Sequence, residues 1–192
     1  MKSNKLLLVT SLKAGEGKTI TVLSLAYAYA ATNKKVLVID GNFADPTITN
    51  TFPVKYFLED YLNDQLVLDS IDEEGNVCIM GTRGGDVSLL ELSNESNIQK
   101  KLADLDSRFD IVIVEMASLD SLNRSKEWII FSKDLIAVYE AGQTLTVVTR
   151  GQLNYLKSLD TKFIGWVLNK TGSRKVESRK RKWFRKFRKQ KI

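Results

Sequence analysis

The stretch Ser11-Leu12-Lys13-Ala14-Gly15-Glu16-Gly17-Lys18-Thr19 has the residue types and spacing of a loop that holds phosphate. Glycines at 15 and 17 let the backbone curl so that successive N–H groups point inward. A helix opening at Lys18 adds its positive end. Lys18 is placed to reach the β- and γ-phosphates of a nucleotide, and the Thr19 hydroxyl to ligate Mg²⁺. The usual pattern opens with a glycine five residues before the Gly-Lys pair; here that position is Leu12.

Two acids are candidates to work beside this loop. Asp40 ends the apolar run Val36–Ile39, where a carboxylate can hold a Mg²⁺ water or orient a nucleophile. Asn42, two residues on, can ligate or hydrogen-bond but cannot serve as a comparable base. Glu115 ends the run Phe109-Asp110-Ile111-Val112-Ile113-Val114. It would emerge at a strand's carboxyl end, where open α/β sheets bind ligands. The candidate metal set is therefore Thr19, Asp40, Asn42 and Glu115.

These residues need strands and helices to place them. Strands are expected over Lys5–Thr10, Val36–Ile39, Asn76–Met80, Phe109–Val114, Leu135–Tyr139 and Phe163–Leu168. Helices are expected over Lys18–Ala31, Pro53–Asn63, Asn94–Leu105, Asn123–Phe131 and Thr144–Leu159, while Asp40–Thr51 reads as polar and turn-like. Val87–Ser93 is ambiguous. Strands alternating with helices predict an α/β three-layer sandwich with a mostly parallel sheet. The apolar runs do not alternate, as expected for strands covered on both faces.

The loop resembles the deviant Walker A loop of the ParA/MinD superfamily of P-loop ATPases, whose signature lysine reaches a partner's nucleotide across a dimer; Lys13 matches it. The wording Gly15-Glu16-Gly17-Lys18-Thr19 also resembles the bacterial tyrosine kinases of polysaccharide export, the CpsD/CapB/Wzc group. Asp40 and Pro46 match that group's Walker A′ motif, with Asn42 in place of its second Asp and Ala44 where arginine is common. Glu115 stands where the family has Asp at the end of a Walker B strand. Its extra methylene moves the carboxylate by roughly 1.5 Å, and octahedral Mg²⁺ tolerates little misplacement. Ala141-Gly142-Gln143-Thr144 and Ile164-Gly165-Trp166-Val167-Leu168-Asn169 resemble later family segments, which implies that Asn169 approaches the nucleotide base.

What the resemblance implies is a P-loop NTPase fold binding ATP or ADP with Mg²⁺. The nucleotide-binding set is Ala14, Gly15, Glu16, Gly17, Lys18, Thr19, Ile20 and Asn169, and the catalytic set is Lys13, Lys18, Asp40 and Glu115. Homodimers or oligomers and a membrane adaptor of polysaccharide export are the implied protein partners. Tyr155 is the last tyrosine, so autophosphorylation in a C-terminal tyrosine cluster is not expected. No upstream activating segment is expected either, because the loop begins ten residues into the chain.

Charge divides the chain. Residues 1–172 hold 18 Lys and Arg against 22 Asp and Glu, whereas residues 173–192 hold 11 against one. The expected organisation is a nucleotide-binding domain over 1–172 and a basic aromatic tail over 173–192. On a helix, Val176, Trp183, Phe184 and Phe187 fall within a stripe of roughly 80–100°, interrupted by Lys180. That pattern suits an amphipathic helix on an anionic membrane surface. Nucleic-acid binding, protein docking and a solubilising tail draw on the same charges.

The 192 residues include no histidine and one cysteine, Cys78. A Ser-His-Asp triad and a structural zinc site are thereby excluded, together with an internal disulfide framework. No apolar run approaches the roughly 20 residues that span a bilayer. The expected location is cytoplasmic, peripheral on the inner membrane face. The function expected is ATP binding with weak ATPase or kinase activity. The competing readings are a catalytically degenerate nucleotide-responsive scaffold and a ParA/MinD-like positioning ATPase.

Overall fold

A computed structural model of the chain describes residues 5–67 and 75–172, apart from the side chains of 121–124. The 173–192 tail and its expected amphipathic helix lie outside the described residues.

Among the described residues, seven strands form one sheet in the order β3-β4-β2-β5-β1-β6-β7. They are β1 (Leu6–Ser11), β2 (Val36–Gly41), β3 (Tyr56–Phe57), β4 (Val77–Gly81), β5 (Ile111–Met116), β6 (Asp134–Glu140) and β7 (Phe163–Asn169). Every pairing is parallel. The sheet therefore agrees with the α/β sandwich expected from the sequence.

Its central strands β1, β2 and β5 are apolar up to their carboxyl ends, where Thr10, Ser11, Asp40 and Glu115 stand, because helices cover both faces. All six residues of β2 are buried. On one face lie α1 (Lys18–Ala30) and α2 (Thr47–Thr51), contributing Val22, Leu23, Ala26 and Ile48 to the core. On the other lie α3 (Leu58–Leu62), α4 (Leu89–Leu92), α5 (Glu95–Arg108), α6 (Leu122–Phe131) and α7 (Val147–Ser158). A buried Leu or Phe contributes about 1.5–3 kcal/mol, and on this face Leu8, Leu37, Leu105, Phe109 and Trp128 are almost wholly buried. Trp128 also donates its indole N–H to the Gly41 carbonyl at 3.2 Å.

Three segments differ from the sequence expectation. Asp40–Thr51 is not all turn: Thr47–Thr51 forms α2, because Ile48 is buried and the Asp40 carboxylate receives the Thr49 N–H. Pro53 does not open a helix. Tyr56 and Phe57 pair with Met80 and Gly81 as an edge strand, and α3 spans only Leu58–Leu62. The ambiguous Val87–Ser93 contains α4, started by a capping box in which Ser88 and Glu91 satisfy each other's backbone N–H.

β7 is the exception to the apolar runs. Its residues alternate between half-buried and exposed, with Ile164, Trp166 and Leu168 outward. An edge strand has a neighbour on one side only, and here it outreaches the helices.

Candidate nucleotide site

The loop between β1 and α1 is tied down at both ends. Leu12, where the usual pattern has glycine, is fully buried in the core. Its carbonyl accepts from Gln152 Nε2 of α7 at 3.0 Å. Ser11 Oγ donates to the Lys13 carbonyl at 2.6 Å, and the Lys13 N–H donates to Glu16 Oε2 at 2.9 Å. Gly17 starts α1 at φ 105°. A Cβ there would lie 2.0 Å from Asn169 Nδ2, so both the backbone angle and the contact require glycine. Asn169 donates from Nδ2 to the Glu16 carbonyl at 2.8 Å.

The acids arrive on adjacent strands. Asp40 of β2 and Glu115 of β5 are register partners at the carboxyl end of the sheet. Thr19 Oγ1 donates to Glu115 Oε1 at 2.8 Å, while Glu115 Oε2 is buried without a hydrogen-bond partner. Burial pushes the Glu115 carboxyl up to about 7; the Thr19 bond and the Lys18 charge oppose that rise, and the Asp40 charge adds to it. Asp40 is also raised by burial, against the lowering effect of Thr49, which donates both its N–H (2.9 Å) and its hydroxyl (2.8 Å) to Oδ2. Lys18 is only 7% exposed, and its ammonium donates to Ser11 Oγ at a long 3.3 Å.

Above these groups lies a cavity of about 460 Å³. Gly15, Lys18, Thr19, Asn42, Glu115 and Asn169 line it, with Ala14, Gly17 and Ile20 of the loop. Three of the sequence candidates do not. Glu16 is buried, its carboxylate turned back on the loop. Asp40 sits beneath Asn42, held by Thr49. Lys13 is half-buried outside the cavity lining. Asn42 spends its amide N–H on the Asp45 carbonyl at 2.8 Å.

The profile described as the CobQ/CobB/MinD/ParA nucleotide binding domain matches residues 7–192. The chain belongs to this family. Among CobQ/CobB/MinD/ParA relatives, it is 26% identical over 175 residues to the tyrosine-protein kinase CpsD of Streptococcus agalactiae, spanning 88% of this chain and 76% of that protein. The VpsO kinase domain superposes with a TM-score of 0.73 at 27% identity, over 88% of this chain and 86% of that one. MinD of Pyrococcus horikoshii, solved with Mg-ADP, superposes at 0.67 with 20% identity, over 88% and 71%. At that identity MinD attests the fold alone.

Within this CobQ/CobB/MinD/ParA member, four residues bear on the site that the sequence expectation left out. Gln152, Thr49, Ser118 and Asp120 all act on the site without a motif. Asp120 accepts the Ala14 N–H at 3.3 Å and a hydrogen bond from the Ser118 hydroxyl. Asp120 follows an acid-ended strand by five residues and opens a helical turn, which was its one visible signal. The residues fit a nucleotide with Mg²⁺. The buried Lys18 ammonium makes one long, neutral hydrogen bond and no direct ion pair among the described residues, feeling Glu115 only at a distance. One Glu115 oxygen has no hydrogen-bond partner; a phosphate and a cation would satisfy both groups.

Proposed function

We propose that this chain binds ATP with Mg²⁺ and transfers the terminal phosphoryl group slowly, as a relative of the polysaccharide-export tyrosine kinases working at an anionic membrane surface. The observation that carries the reading is the Lys18 ammonium, buried at the cavity wall and aimed at no carboxylate, beside the Thr19–Glu115 pair. Lys18 and the loop amides hold the phosphates. Thr19, Glu115 and Asn42 are the candidate metal donors. Bound Mg²⁺ would neutralise charge on the phosphate oxygens. Asp40, beneath the cavity floor, orients the acceptor or its water through Asn42. Lys13 completes the site of a second copy in a dimer.

Glu115 and Asn42 make turnover slow. The glutamate is a methylene longer than the family's aspartate, and it is held near neutrality by burial. The same facts favour a second reading, a nucleotide-responsive scaffold that regulates polysaccharide assembly without turnover. Incubation with labelled ATP and Mg²⁺ separates the two when bound nucleotide, free phosphate and phosphoprotein are measured together. Slow release of phosphate or slow labelling of protein is expected, rising on Glu115→Asp. Bound nucleotide with neither product, in parent and variant alike, leaves the scaffold. No bound nucleotide overturns both readings.

The membrane part rests on residues 173–192. Their cations supply attraction and their aromatics the depth-dependent part. Serine at Trp183, Phe184 and Phe187 together is expected to weaken binding to phosphatidylserine vesicles by at least about 100-fold, from the lost apolar area. Co-sedimentation measures it. Equal sedimentation of both chains, or tight duplex DNA binding with none to vesicles, would turn the assignment toward a DNA-bound ATPase.

A further inference from the structure

The turn that leaves β5 carries a carboxylate back onto the phosphate loop. Asp120 lines the nucleotide cavity, and its Oδ2 accepts the Ala14 N–H at 3.3 Å. Buried hydroxyls pin this turn from below. Thr10 of β1 donates to the Ala117 carbonyl at 2.9 Å. Ser125 of α6 donates to the same carbonyl at 3.0 Å and to that of Ser118 at 3.2 Å. Thr10 and Ser125 are both fully buried. The Ser118 hydroxyl in turn donates to Asp120 Oδ1, so both oxygens of the carboxylate are held. One residue back along the loop, Glu16 Oε2 accepts the Lys13 N–H. Two successive amides of the loop are thus taken by the chain's own carboxylates.

We propose that Asp120 sets the selectivity of the site between nucleoside di- and triphosphates, competing with the last phosphate for its place on the loop. The inference rests on the nucleotide reading above and adds which form of the nucleotide the site prefers. Position gives the direction. In a bound triphosphate the last two phosphates are those that share Mg²⁺. The candidate donors for that ion, Thr19 and Glu115, meet at the carboxyl end of β5. Asp120 belongs to the turn that leaves this same strand. The end of the phosphate chain therefore lies on the side of Asp120, whichever way the nucleoside runs. Backbone N–H groups of such a loop cradle an anion only while they are free to point at it. The Ala14 N–H has a single hydrogen, already given to Asp120. A phosphate oxygen arriving there meets a group of its own sign of charge. A triphosphate brings more of that charge than a diphosphate and reaches further along the loop. It has to displace Asp120 or lie against it, whereas a diphosphate leaves the contact in place. The diphosphate left by phosphoryl transfer is then favoured over fresh substrate, which gives slow turnover a second cause.

Calorimetry of the full chain with Mg²⁺–ATP and with Mg²⁺–ADP tests the assignment on the parent, Asp120→Asn and Asp120→Ala. Asparagine keeps an oxygen for the Ala14 N–H and removes the charge; alanine removes both. Asp120 is exposed, so both variants are expected to fold as the parent does, which circular dichroism checks. Each variant is expected to gain about tenfold in affinity for ATP, with ADP changed by less than about threefold. An exposed charge is screened by water and salt, which keeps the gain at that size and makes it shrink as salt is raised. The same ATP-to-ADP preference in all three chains would overturn the proposal. So would weaker ATP binding in both variants, which would make Asp120 a donor to the metal. Chains that bind neither nucleotide would overturn the nucleotide reading itself and this inference with it, an outcome distinct from binding at an unchanged ratio.

Discussion

Replacing Lys18 with alanine is expected to weaken Mg²⁺–ATP binding by at least about 100-fold, as read by calorimetry. The ammonium is buried and its hydrogen bond to Ser11 Oγ is a long 3.3 Å. Charge-assisted hydrogen bonds contribute about 1.5–3 kcal/mol each, and two to phosphate oxygens give the fold-change stated. The same geometry makes the substitution mild for the fold. Removing a poorly partnered buried charge relieves its desolvation and breaks one weak bond. The unfolding temperature of the nucleotide-free variant should therefore match or exceed the parent's. Equal nucleotide affinities in two folded proteins would remove Lys18 from the phosphate site.

The second large effect is a dependence on pH centred on Glu115. Its carboxyl titrates near 4.5 in the unfolded chain and at about 7 in the folded one. The folded state therefore holds the proton more tightly, and stability from this group is full below about 4.5 and is lost as pH rises through 7. At 1.36 kcal/mol per unit, the loss is at most about 3 kcal/mol. Urea unfolding of the nucleotide-free parent at pH 5 to 8 should show it, and Glu115→Gln should remove it. Asp40, raised in the same direction by burial, leaves a smaller decline of the same sign in the variant. The difference between the two profiles is the readout, and parallel profiles would refute the assignment. A metal that needs the ionised carboxylate must also displace the proton. Affinity for Mg²⁺–ADP should then fall about tenfold per pH unit below 7 in the parent, and far less in Glu115→Gln.

The parts of this site that could be read in the sequence were those carried by local chemistry. Glycines before Lys18 and Thr19, and acids at the ends of apolar runs, are short-range patterns with one mechanical use each. The sheet followed from the same runs, since strands such as Val36–Ile39 are apolar because both faces are covered. What escaped was set by distant partners. Gln152 has no local signature, and it acts by reaching Leu12 from another helix. Five residues from Thr47 become a helix because Ile48 has a core to enter and Asp40 has donors to collect. Leu12 read as a departure from the loop pattern, whereas its side chain is a core anchor for the loop. The inward turn of the Glu16 carboxylate onto the Lys13 N–H, three residues away, is a detail of the loop that no motif spells out.

The contact between Gly17 and Asn169 has a mechanical meaning. A strand inside the sheet is gripped from both sides, but β7 is bonded to β6 alone. Asn169 is the tip of that one-sided strand, and its amide lies where any side chain at residue 17 would have to be. There is no slack in the joint. Glycine at 17 is thus demanded twice, by the loop's own backbone angle and by the tip of the sheet's edge strand.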